Sequence, residues 1–278
     1  LALHNEVDVE PAESTAVEIT GEGEETLPPT SSNLVAKAAL EVARAARRRA
    51  GFRIRCRNHI PLARGLGSSA AAIAGGLVAA NAALGNPLGT EAVLDLAWKM
   101  EGHADNVAAA ILGGVVLVDA SAERITWARI VPQWDAVIVV AIPEFSVATA
   151  DARSVLPAHV PLGDAVANIG RTAQLVAAML TGRPDLLRTA LGDTLHQPYR
   201  RALVPGMEGV FQAARAAGAY GAVLSGSGPS IAAVAPEAVA HPVGQAMVDG
   251  FARAGKRARY LVTPVDETGT VAAPIELA

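Results

Sequence analysis

The clearest periodicity in the chain lies between Phe52 and Ile60, where apolar residues alternate with arginine or histidine. A period of two predicts a β-strand with one buried face and one basic, solvated face. Pro61 ends this strand, a turn of glycine and serine follows, and a long helix of small residues begins near Ser68. The pattern therefore predicts strand, glycine turn and helix, in that order.

The remaining elements follow from similar patterns and from turn residues. Strands are predicted over residues 1–9 and 16–20, with Pro11 between them, and a helix that begins at Ser31, Ser32 or Asn33 ends at Gly51. Further helices are predicted over 90–101, after Asp105, and over 165–180, 185–191, 207–217 and 240–254, and further strands over 115–118, 136–142, 222–224, 231–234 and 258–262. The strand–helix pattern restarts near residue 130, which predicts two α+β domains, 1–130 and 131–278.

Composition excludes several classes of protein. The net charge is −4, so no basic excess is present to neutralise a run of phosphates, and nucleic acid is not an expected partner. The most apolar stretch is shorter than the ~18–20 residues that a membrane span needs. Cys56 is the only cysteine among the 278 residues, which excludes an intramolecular disulfide and predicts a small buried hydrophobe in a cytoplasmic protein.

The turn from Gly65 to Ser69 is a candidate phosphate site. Helix N-termini present unpaired amide groups and a partial positive charge, so an anion binds there when the preceding turn lacks Cβ atoms. Gly65 and Gly67 allow that close approach, and Ser68 and Ser69 add hydroxyl groups. The alternative is an ordinary helix N-terminus with two serines.

Two motifs resemble those of one kinase superfamily. The stretch Pro61, Leu62, Ala63, Arg64, Gly65, Leu66, Gly67, Ser68, Ser69, Ala70 and Ala71 resembles the second motif of the galactokinase, homoserine kinase, mevalonate kinase and phosphomevalonate kinase (GHMP kinase) superfamily. The stretch from Gly221 to Ser230 resembles its third motif. Stretches 101–107, 149–157 and 196–206 are similar to the homoserine kinase family within it.

This resemblance implies a fold and a reaction. The fold is an N-terminal α+β domain with a left-handed crossover and a ferredoxin-like C-terminal domain, with ATP and substrate in the cleft between them. The reaction is transfer of phosphate from ATP, with Mg²⁺, to the hydroxyl of an amino acid, and family members suggest a homodimer. Members of the family begin with a strand and turn that carry a substrate-binding Asn and Asp, so we expect such a segment before Leu1.

The resemblance also implies roles for individual residues. Glu101 and Ser68 would hold Mg²⁺, and Asn33 would bind adenine or simply cap its helix. Arg153 and Arg200 would clamp the substrate carboxylate, because arginine binds carboxylates through two parallel hydrogen bonds. The other residues implied at the substrate are His103, Asp105, Asn106, Thr149 and Gly226.

Several of these residues have a structural alternative. Asp105 is the candidate catalytic base, but Asp105 or Asn106 could instead cap the helix that follows. Glu101 could be an exposed surface residue, and the Ser225–Ser230 turn could be a plain Gly-Pro turn instead of a brace for the phosphate loop. Two other functions stay open: another kinase of this fold, acting on mevalonate, shikimate or a diphosphocytidyl sugar alcohol, and an ATP-binding sensor without catalysis.

Overall fold

The computed structural model describes residues 1–274 and divides the chain into two compact units. The N-terminal unit contains Leu3–Leu62, Gly67–Ile130 and the described residues from Asp266 onward. The C-terminal unit contains Leu1–Ala2, Ala63–Leu66 and Val131–Val265. The main division falls after residue 130, and three short stretches depart from the predicted ranges 1–130 and 131–278.

The end of the described chain joins the N-terminal unit through hydrogen bonds. The Gly114 amide donates to the Asp266 carbonyl at 2.7 Å, and Thr270 Oγ1 donates to the Ala110 carbonyl at 2.8 Å. A Cβ at Gly113 would lie 2.5 Å from the backbone nitrogen of Gly269, so this contact requires glycine. These bonds assign residues 266–274 to the first unit and not to the predicted second domain. Residues 275–278 of that predicted domain lie outside the described residues.

The N-terminal unit is built on a three-stranded sheet. Its elements are β1 (Glu6–Ala12), β2 (Ala16–Gly21), α1 (Leu34–Ala45), β3 (Gly51–Asn58), α2 (Ser68–Ala83), α3 (Thr90–Glu101), α4 (Asp105–Leu112), β4 (Val115–Asp119) and β5 (Thr126–Ile130). The sheet order is β1-β3-β2, with β3 antiparallel to β1 and parallel to β2. Because parallel neighbours need a crossover connection, α1 links β2 to β3. The predicted strand, turn and helix are confirmed as β3 followed by α2.

Two strands of this unit differ from the prediction. The strand expected over residues 1–9 begins at Glu6 and continues through Pro11 to Ala12. It lies at the sheet edge, where a residue without an amide hydrogen removes no necessary ladder bond. The strand β5 was not predicted, because four of its five residues are exposed and it therefore has no buried face to give a period of two.

The core of this unit lies between the sheet and the helices. Phe52, Ile54 and Cys56 are buried on β3, which confirms the predicted alternation. Burial raises the pKa of the Cys56 thiol to about 11, as expected for an inert buried hydrophobe. A Cβ at Gly76 in α2 would lie 2.5 Å from the Val35 carbonyl oxygen of α1, so glycine at this position allows the two helices to pack closely.

The C-terminal unit has the ferredoxin-like order of strand, helix, strand, strand, helix and strand. Its elements are β6 (Val137–Pro143), α5 (Thr149–Ser154), α6 (Leu162–Thr181), α7 (Leu187–Ala190), α8 (Gln197–Arg200), α9 (Met207–Ala216), β7 (Gly221–Leu224), β8 (Ile231–Ala235), α10 (Ala240–Arg253) and β9 (Ala258–Thr263), with 3-10 turns at Pro184–Leu186, Arg201–Leu203 and Glu237–Val239. The antiparallel sheet has the order β7-β8-β6-β9.

The main elements predicted for this unit are confirmed, including the pairing of β7 with β8. The helix predicted over 185–191 is a 3-10 turn at Pro184–Leu186 followed by the single turn α7, since Pro184 starts a tight turn. The short helices α5 and α8 were not predicted. In residues 1–274, no helix combines the length and apolar character needed to cross a bilayer.

Candidate active site

The N-terminus of α2 has the form of an anion site. Gly67 precedes the helix with a φ of 75°, and a Cβ there would meet nothing within 4 Å. Glycine is therefore required by the left-handed backbone and not by crowding. No side chain caps this end of the helix, so the first-turn amides lack a side-chain acceptor. A phosphate group supplies that acceptor when it binds at such a terminus.

A carboxylate lies beside this helix end within the N-terminal unit. Glu101 is the last residue of α3, and its Oε1 accepts a hydrogen bond from Ser69 Oγ at 2.5 Å. Its side chain is only 10% exposed, so the interpretation as an exposed surface residue is wrong. The structure pairs Glu101 with Ser69 and not with Ser68, the predicted partner. Ser68 is half-buried at the first position of α2, and its hydroxyl bonds no residue in the described part of the chain.

His103 and Asp105 extend this cluster. His103 Nε2 lies 3.6 Å from Glu101 Oε1, and His103 Nδ1 lies 2.8 Å from Asp105 Oδ1. Asp105 and Asn106 do not occupy the N-cap position, because α4 starts at Asp105 and Ala104 precedes it without a side-chain cap. Asp105 Oδ1 instead accepts from the Asn106 amide at 2.8 Å. A hydroxyl, a carboxylate and an imidazole therefore lie together at the ends of α2, α3 and α4.

Asn33 acts as a helix cap. Its Oδ1 accepts from the Val35 amide at 2.9 Å, and its Nδ2 donates to the Pro28 carbonyl at 3.0 Å. The residue is 5% exposed. The capping interpretation is confirmed, whereas a contact with adenine stays a prediction.

The first part of the glycine turn packs within the C-terminal unit against the loop between β7 and β8. Ser225 Oγ donates to the Gly65 carbonyl at 2.8 Å, and the Ser230 amide donates to the Arg64 carbonyl at 3.3 Å. A Cβ at Gly65 would lie 2.2 Å from the Ser225 carbonyl oxygen, so no other residue fits there. The predicted brace is confirmed.

Arg64 takes part in the same packing. Its Nε donates to the Pro143 carbonyl at 3.0 Å, and its Nη2 donates to the Glu144 carbonyl at 2.6 Å. The guanidinium therefore anchors the glycine turn to the end of β6. This is a structural role that the assignment of Arg64 to the cofactor site did not include.

The proposed substrate arginines lie close together in the C-terminal unit. Arg200 Nε donates to the Ala152 carbonyl at 3.0 Å, and its Nη1 donates to the Gly226 carbonyl at 3.1 Å. Burial lowers the pKa of Arg200 and the nearby charge of Arg153 adds to that effect, while Asp193 opposes it. Within residues 1–274 neither guanidinium forms a salt bridge. Two neighbouring cations without a paired carboxylate have the chemistry that suits an anion, so the carboxylate clamp stays a prediction.

The other predicted substrate residues of this unit lie on the same loops. Thr149 is the first residue of α5, the helix that carries Arg153, and its Oγ1 lies 3.5 Å from Ser227 Oγ. Gly226 has a φ of 53°, and its carbonyl orients Arg200. Thr149, Arg153, Arg200 and Gly226 are therefore brought together within this unit.

Asp193 supports this arrangement, and sequence reasoning missed it. Its carboxylate accepts from the amides of Leu195, His196 and Gln197 at 2.6–2.9 Å and from Asn168 Nδ2 at 2.8 Å. Burial alone would raise the pKa of Asp193, but the His196 side chain, whose Nδ1 lies 3.6 Å from Asp193 Oδ1, and these hydrogen bonds hold it well below its usual range. An Asp a few residues before Gln197-Pro198 is typical of a residue that caps a helix start, and this pattern could have indicated the role of Asp193.

Gln197 connects this carboxylate to the motif loop. It is the first residue of α8, the helix that ends at Arg200, and its Oε1 accepts from the Leu224 amide at 2.7 Å. Leu224 is the last residue of β7, directly before the loop that contacts Gly65. Asp193 therefore fixes the backbone that positions Arg200.

Comparisons with known proteins show the family of this chain. Residues 33–114 match the family described as GHMP kinases N terminal domain, and residues 175–252 match the GHMP kinases C terminal family. Homoserine kinase of Carboxydothermus hydrogenoformans is 42% identical over 98% of this chain and 89% of its own length. Homoserine kinase of Moorella thermoacetica is 47% identical over 92% of this chain and 86% of its own. The chain belongs to the homoserine kinase family.

Solved structures place the fold in the same superfamily. The crystal structure of homoserine kinase from Cytophaga hutchinsonii aligns with a TM-score of 0.87 at 33% identity, covering 95% of this chain and 87% of that one. Mevalonate kinase of L. major aligns with a TM-score of 0.70 at 17% identity, covering 95% and 88% of the two chains, and shows the fold alone. The α+β GHMP kinase fold predicted from the sequence is confirmed, and ATP is the phosphoryl donor that this kinase family implies.

Proposed function

We propose that this chain transfers the γ-phosphoryl group of ATP to the side-chain hydroxyl of L-homoserine and so forms O-phospho-L-homoserine for threonine biosynthesis. The relatives that are 42–47% identical over most of the chain are homoserine kinases. The observation that carries the choice of substrate is the pair Arg153 and Arg200, two adjacent guanidinium groups with no salt bridge in the described chain. A free carboxylate is the group that they fit, and an amino acid supplies it.

The N-terminus of α2 would hold the phosphates of ATP. Catalysis of phosphoryl transfer rests on positioning and on neutralising the charge of the phosphates. Backbone amides of the turn at Gly67 and the first residues of α2 supply donors, and the free hydroxyl of Ser68 adds one more. We also propose a cytoplasmic location, as expected from the sequence.

The residues beside this helix end fit a bound magnesium ion. Residues 1–274 contain no group of three or more acidic, histidine or cysteine side chains arranged around a metal. Mg²⁺ bound to a nucleotide needs only one or two carboxylates, since phosphate and water complete its shell. Glu101 would hold the ion together with the hydroxyl of Ser69, whose Oγ lies 2.5 Å from Glu101 Oε1. Ser68 remains available to a phosphate oxygen. The ion would supply charge neutralisation at the transferred phosphate.

Asp105 stays the candidate acceptor for the proton of the substrate hydroxyl. Its side chain is 76% exposed and orients the imidazole of His103, which reaches toward Glu101. His103 and Asn106 would line the substrate side of the same cluster. The pairing of an imidazole with an orienting carboxylate is suited to positioning a hydroxyl group.

The test is ATP-dependent phosphorylation of L-homoserine by the purified chain with Mg²⁺. The reaction is measured by ADP release, and the product is identified by ³¹P NMR. L-Threonine, mevalonate and shikimate serve as comparison substrates. We expect turnover with homoserine and little with the others. If mevalonate or shikimate is phosphorylated and homoserine is not, the proposed substrate is wrong. Binding of ATP without turnover of any alcohol would favour a nucleotide sensor.

A further inference from the structure

The arginine of the proposed clamp stands on very little secondary structure. Arg200 is the last residue of α8, which is one turn long and follows residues 192–196, a stretch without a regular helix or strand. A single helical turn is not stable by itself, because its few backbone hydrogen bonds do not offset the entropy lost on ordering it. Contacts with the rest of the C-terminal unit therefore fix the position of Arg200.

Local hydrogen bonds give this stretch its shape but not its place. The Asp193 carboxylate accepts from three amides that follow it within four positions. Such a turn can keep its shape while it moves as one piece relative to the sheet. Two side chains tie it to distant elements: Gln197 Oε1 accepts from an amide of β7 at 2.7 Å, and Asn168 reaches the turn from α6.

Asn168 uses both ends of its side-chain amide on this turn. Its Nδ2 donates to Asp193 Oδ1 at 2.8 Å, and its Oδ1 accepts from the Thr194 amide at 3.0 Å and from the Thr194 hydroxyl at 2.9 Å. The arrangement needs a donor toward the carboxylate and an acceptor toward the backbone amide, and a side-chain amide supplies both. A carboxylate of the same size lacks the donor and repels Asp193. The residue type at position 168 therefore matches the turn.

The charged residues of α6 flank Asn168. Asp164 and Arg171 are the only charged residues among the twenty of this helix, and they lie four positions before and three positions after Asn168, on the same face. Thr194 Oγ1 lies 3.3 Å from the Asp164 carbonyl, and Arg171 Nη1 donates to Asn168 Oδ1 at 3.3 Å. A surface helix normally directs its charged face to solvent. Here that face meets the turn that precedes α8.

Loss of the bond between Asn168 and Asp193 is expected to move the turn. The Asp193 side chain is only 15% exposed, so water cannot replace the lost donor unless the carboxylate shifts toward solvent. The start of α8 follows the carboxylate, because the Gln197 amide donates to Asp193 Oδ2 at 2.6 Å. The clamp arginine, three residues later, then leaves the position that the Ala152 and Gly226 carbonyls define.

We propose that Asn168 is a positioning residue, which holds Arg200 in the orientation that binds the substrate carboxylate. The inference rests on the proposed function, because only a substrate with a carboxylate uses this arginine. Asn168 acts through the turn and so affects substrate binding, not the transfer of the phosphoryl group. Its loss therefore raises the KM for homoserine and leaves kcat and the KM for ATP nearly unchanged.

The first test replaces Asn168 with aspartate, which keeps the size of the side chain and removes the donor. We expect Asn168→Asp to raise the KM for homoserine roughly five- to tenfold, with kcat and the KM for ATP changed less than about twofold. The matched control is Gln174→Glu, which makes the same change from amide to carboxylate at an exposed position of α6. Its steady-state kinetics, measured by ADP release, should equal those of the wild type.

A second background separates positioning from a general loss of structure. In Arg200→Ala, the further change Asn168→Asp should alter the KM for homoserine less than about twofold, because the guanidinium that Asn168 positions is absent. 3-Amino-1-propanol lacks the carboxylate of homoserine, so its kcat/KM should be the same for Asn168→Asp and the wild type. A purely structural role would lower kcat/KM for both substrates in both backgrounds.

An exchanged pair keeps the inference testable if Asn168→Asp alone does not fold. Asn168→Asp/Asp193→Asn restores a hydrogen bond between the two positions, with donor and acceptor exchanged and the net charge unchanged. Its KM for homoserine should lie within about threefold of the wild-type value and below that of Asp193→Asn alone.

The outcomes distinguish this inference from the proposed function. If the wild type phosphorylates homoserine and Asn168→Asp leaves its KM unchanged, or lowers kcat/KM equally for homoserine and 3-amino-1-propanol, Asn168 is not a positioning residue. An exchanged pair with a KM as high as that of Asp193→Asn would show that the bond between the two side chains is not the cause. If the wild type does not phosphorylate homoserine, the proposed function fails and this inference fails with it.

Discussion

Replacing Arg200 tests the proposed carboxylate clamp directly. Its guanidinium donates to the carbonyls of Ala152 and Gly226, and its Nη2 makes no hydrogen bond within residues 1–274. A hydrogen bond to a charged group contributes about 1.5–3 kcal/mol, which corresponds to roughly a tenfold to hundredfold change in binding. We therefore expect Arg200→Ala to raise the KM for homoserine by roughly ten- to a hundredfold, while the KM for ATP changes less than about twofold.

A substrate without the carboxylate separates the clamp from a general loss of structure. 3-Amino-1-propanol keeps the hydroxyl and amino groups of homoserine and lacks only the carboxylate. The wild-type chain and Arg200→Ala should phosphorylate it with similar, low kcat/KM, because the lost interaction has no partner in this substrate. Steady-state ADP release measures both substrates under the same conditions.

The adjacent Arg201 provides a matched control. It is 61% exposed and lies 3.4 Å from Glu208, so Arg201→Ala removes the same side chain outside the clamp. We expect its kinetics and Tm to stay close to those of the wild type. If Arg200→Ala lowers kcat/KM equally for homoserine and 3-amino-1-propanol, Arg200 is a structural residue and the clamp is refuted.

Three further predictions concern other contacts of the site. Glu101→Gln should lower kcat at least a hundredfold with an unchanged far-UV circular dichroism spectrum; near-normal turnover would refute its role. Ser225→Ala should lower stability by about 1 kcal/mol through the lost bond to the Gly65 carbonyl, whereas Ser230→Ala should not, because the buried Ser230 hydroxyl bonds no described residue; equal losses of Tm would contradict this. Asp193→Asn should destabilise the chain by about 2 kcal/mol at pH 7, and this difference should vanish well below pH ~4. A carboxylate whose pKa is depressed in the folded state stabilises the fold above its unfolded pKa, and this stabilisation is lost as the pH falls and the group is protonated. A difference independent of pH would show that the charge is not the cause.

Local patterns predicted much of the fold because the core faces of its elements are regular. The strand β3 alternates buried and solvated residues, and α2 follows Gly67, whose left-handed backbone conformation favours glycine. The β4–β5 hairpin was predicted only in part because Thr126–Ile130 exposes four of its five side chains. The predicted break at Pro11 is absent because β1 is an edge strand, where proline is tolerated, and no local pattern shows which strand lies at the edge.

The candidate site was predictable only for residues within a motif or a family stretch. The choice between Ser68 and Ser69 depends on which hydroxyl the helix turns toward Glu101, a residue 32 positions from Ser69. Asp193 lies in no family stretch; three of its four donors are the amides of residues 195–197, which a local capping pattern can indicate, whereas the fourth, Asn168, is 25 residues away and reaches it only after folding. Contacts of this kind between distant residues cannot be read from spacing.

Glu101 occupies an electrostatically unfavourable position at the end of α3. A carboxylate at the C-terminus of a helix opposes the helix dipole by about 0.3–1 kcal/mol, and burial to 10% exposure removes most of its water. The single hydroxyl of Ser69 and a histidine nitrogen at 3.6 Å offset these costs only in part. A divalent cation would remove both costs, so Mg²⁺ with a non-hydrolysable ATP analogue should raise the Tm of the wild type more than that of Glu101→Gln. Equal shifts would mean that the nucleotide carries its magnesium without help from this carboxylate.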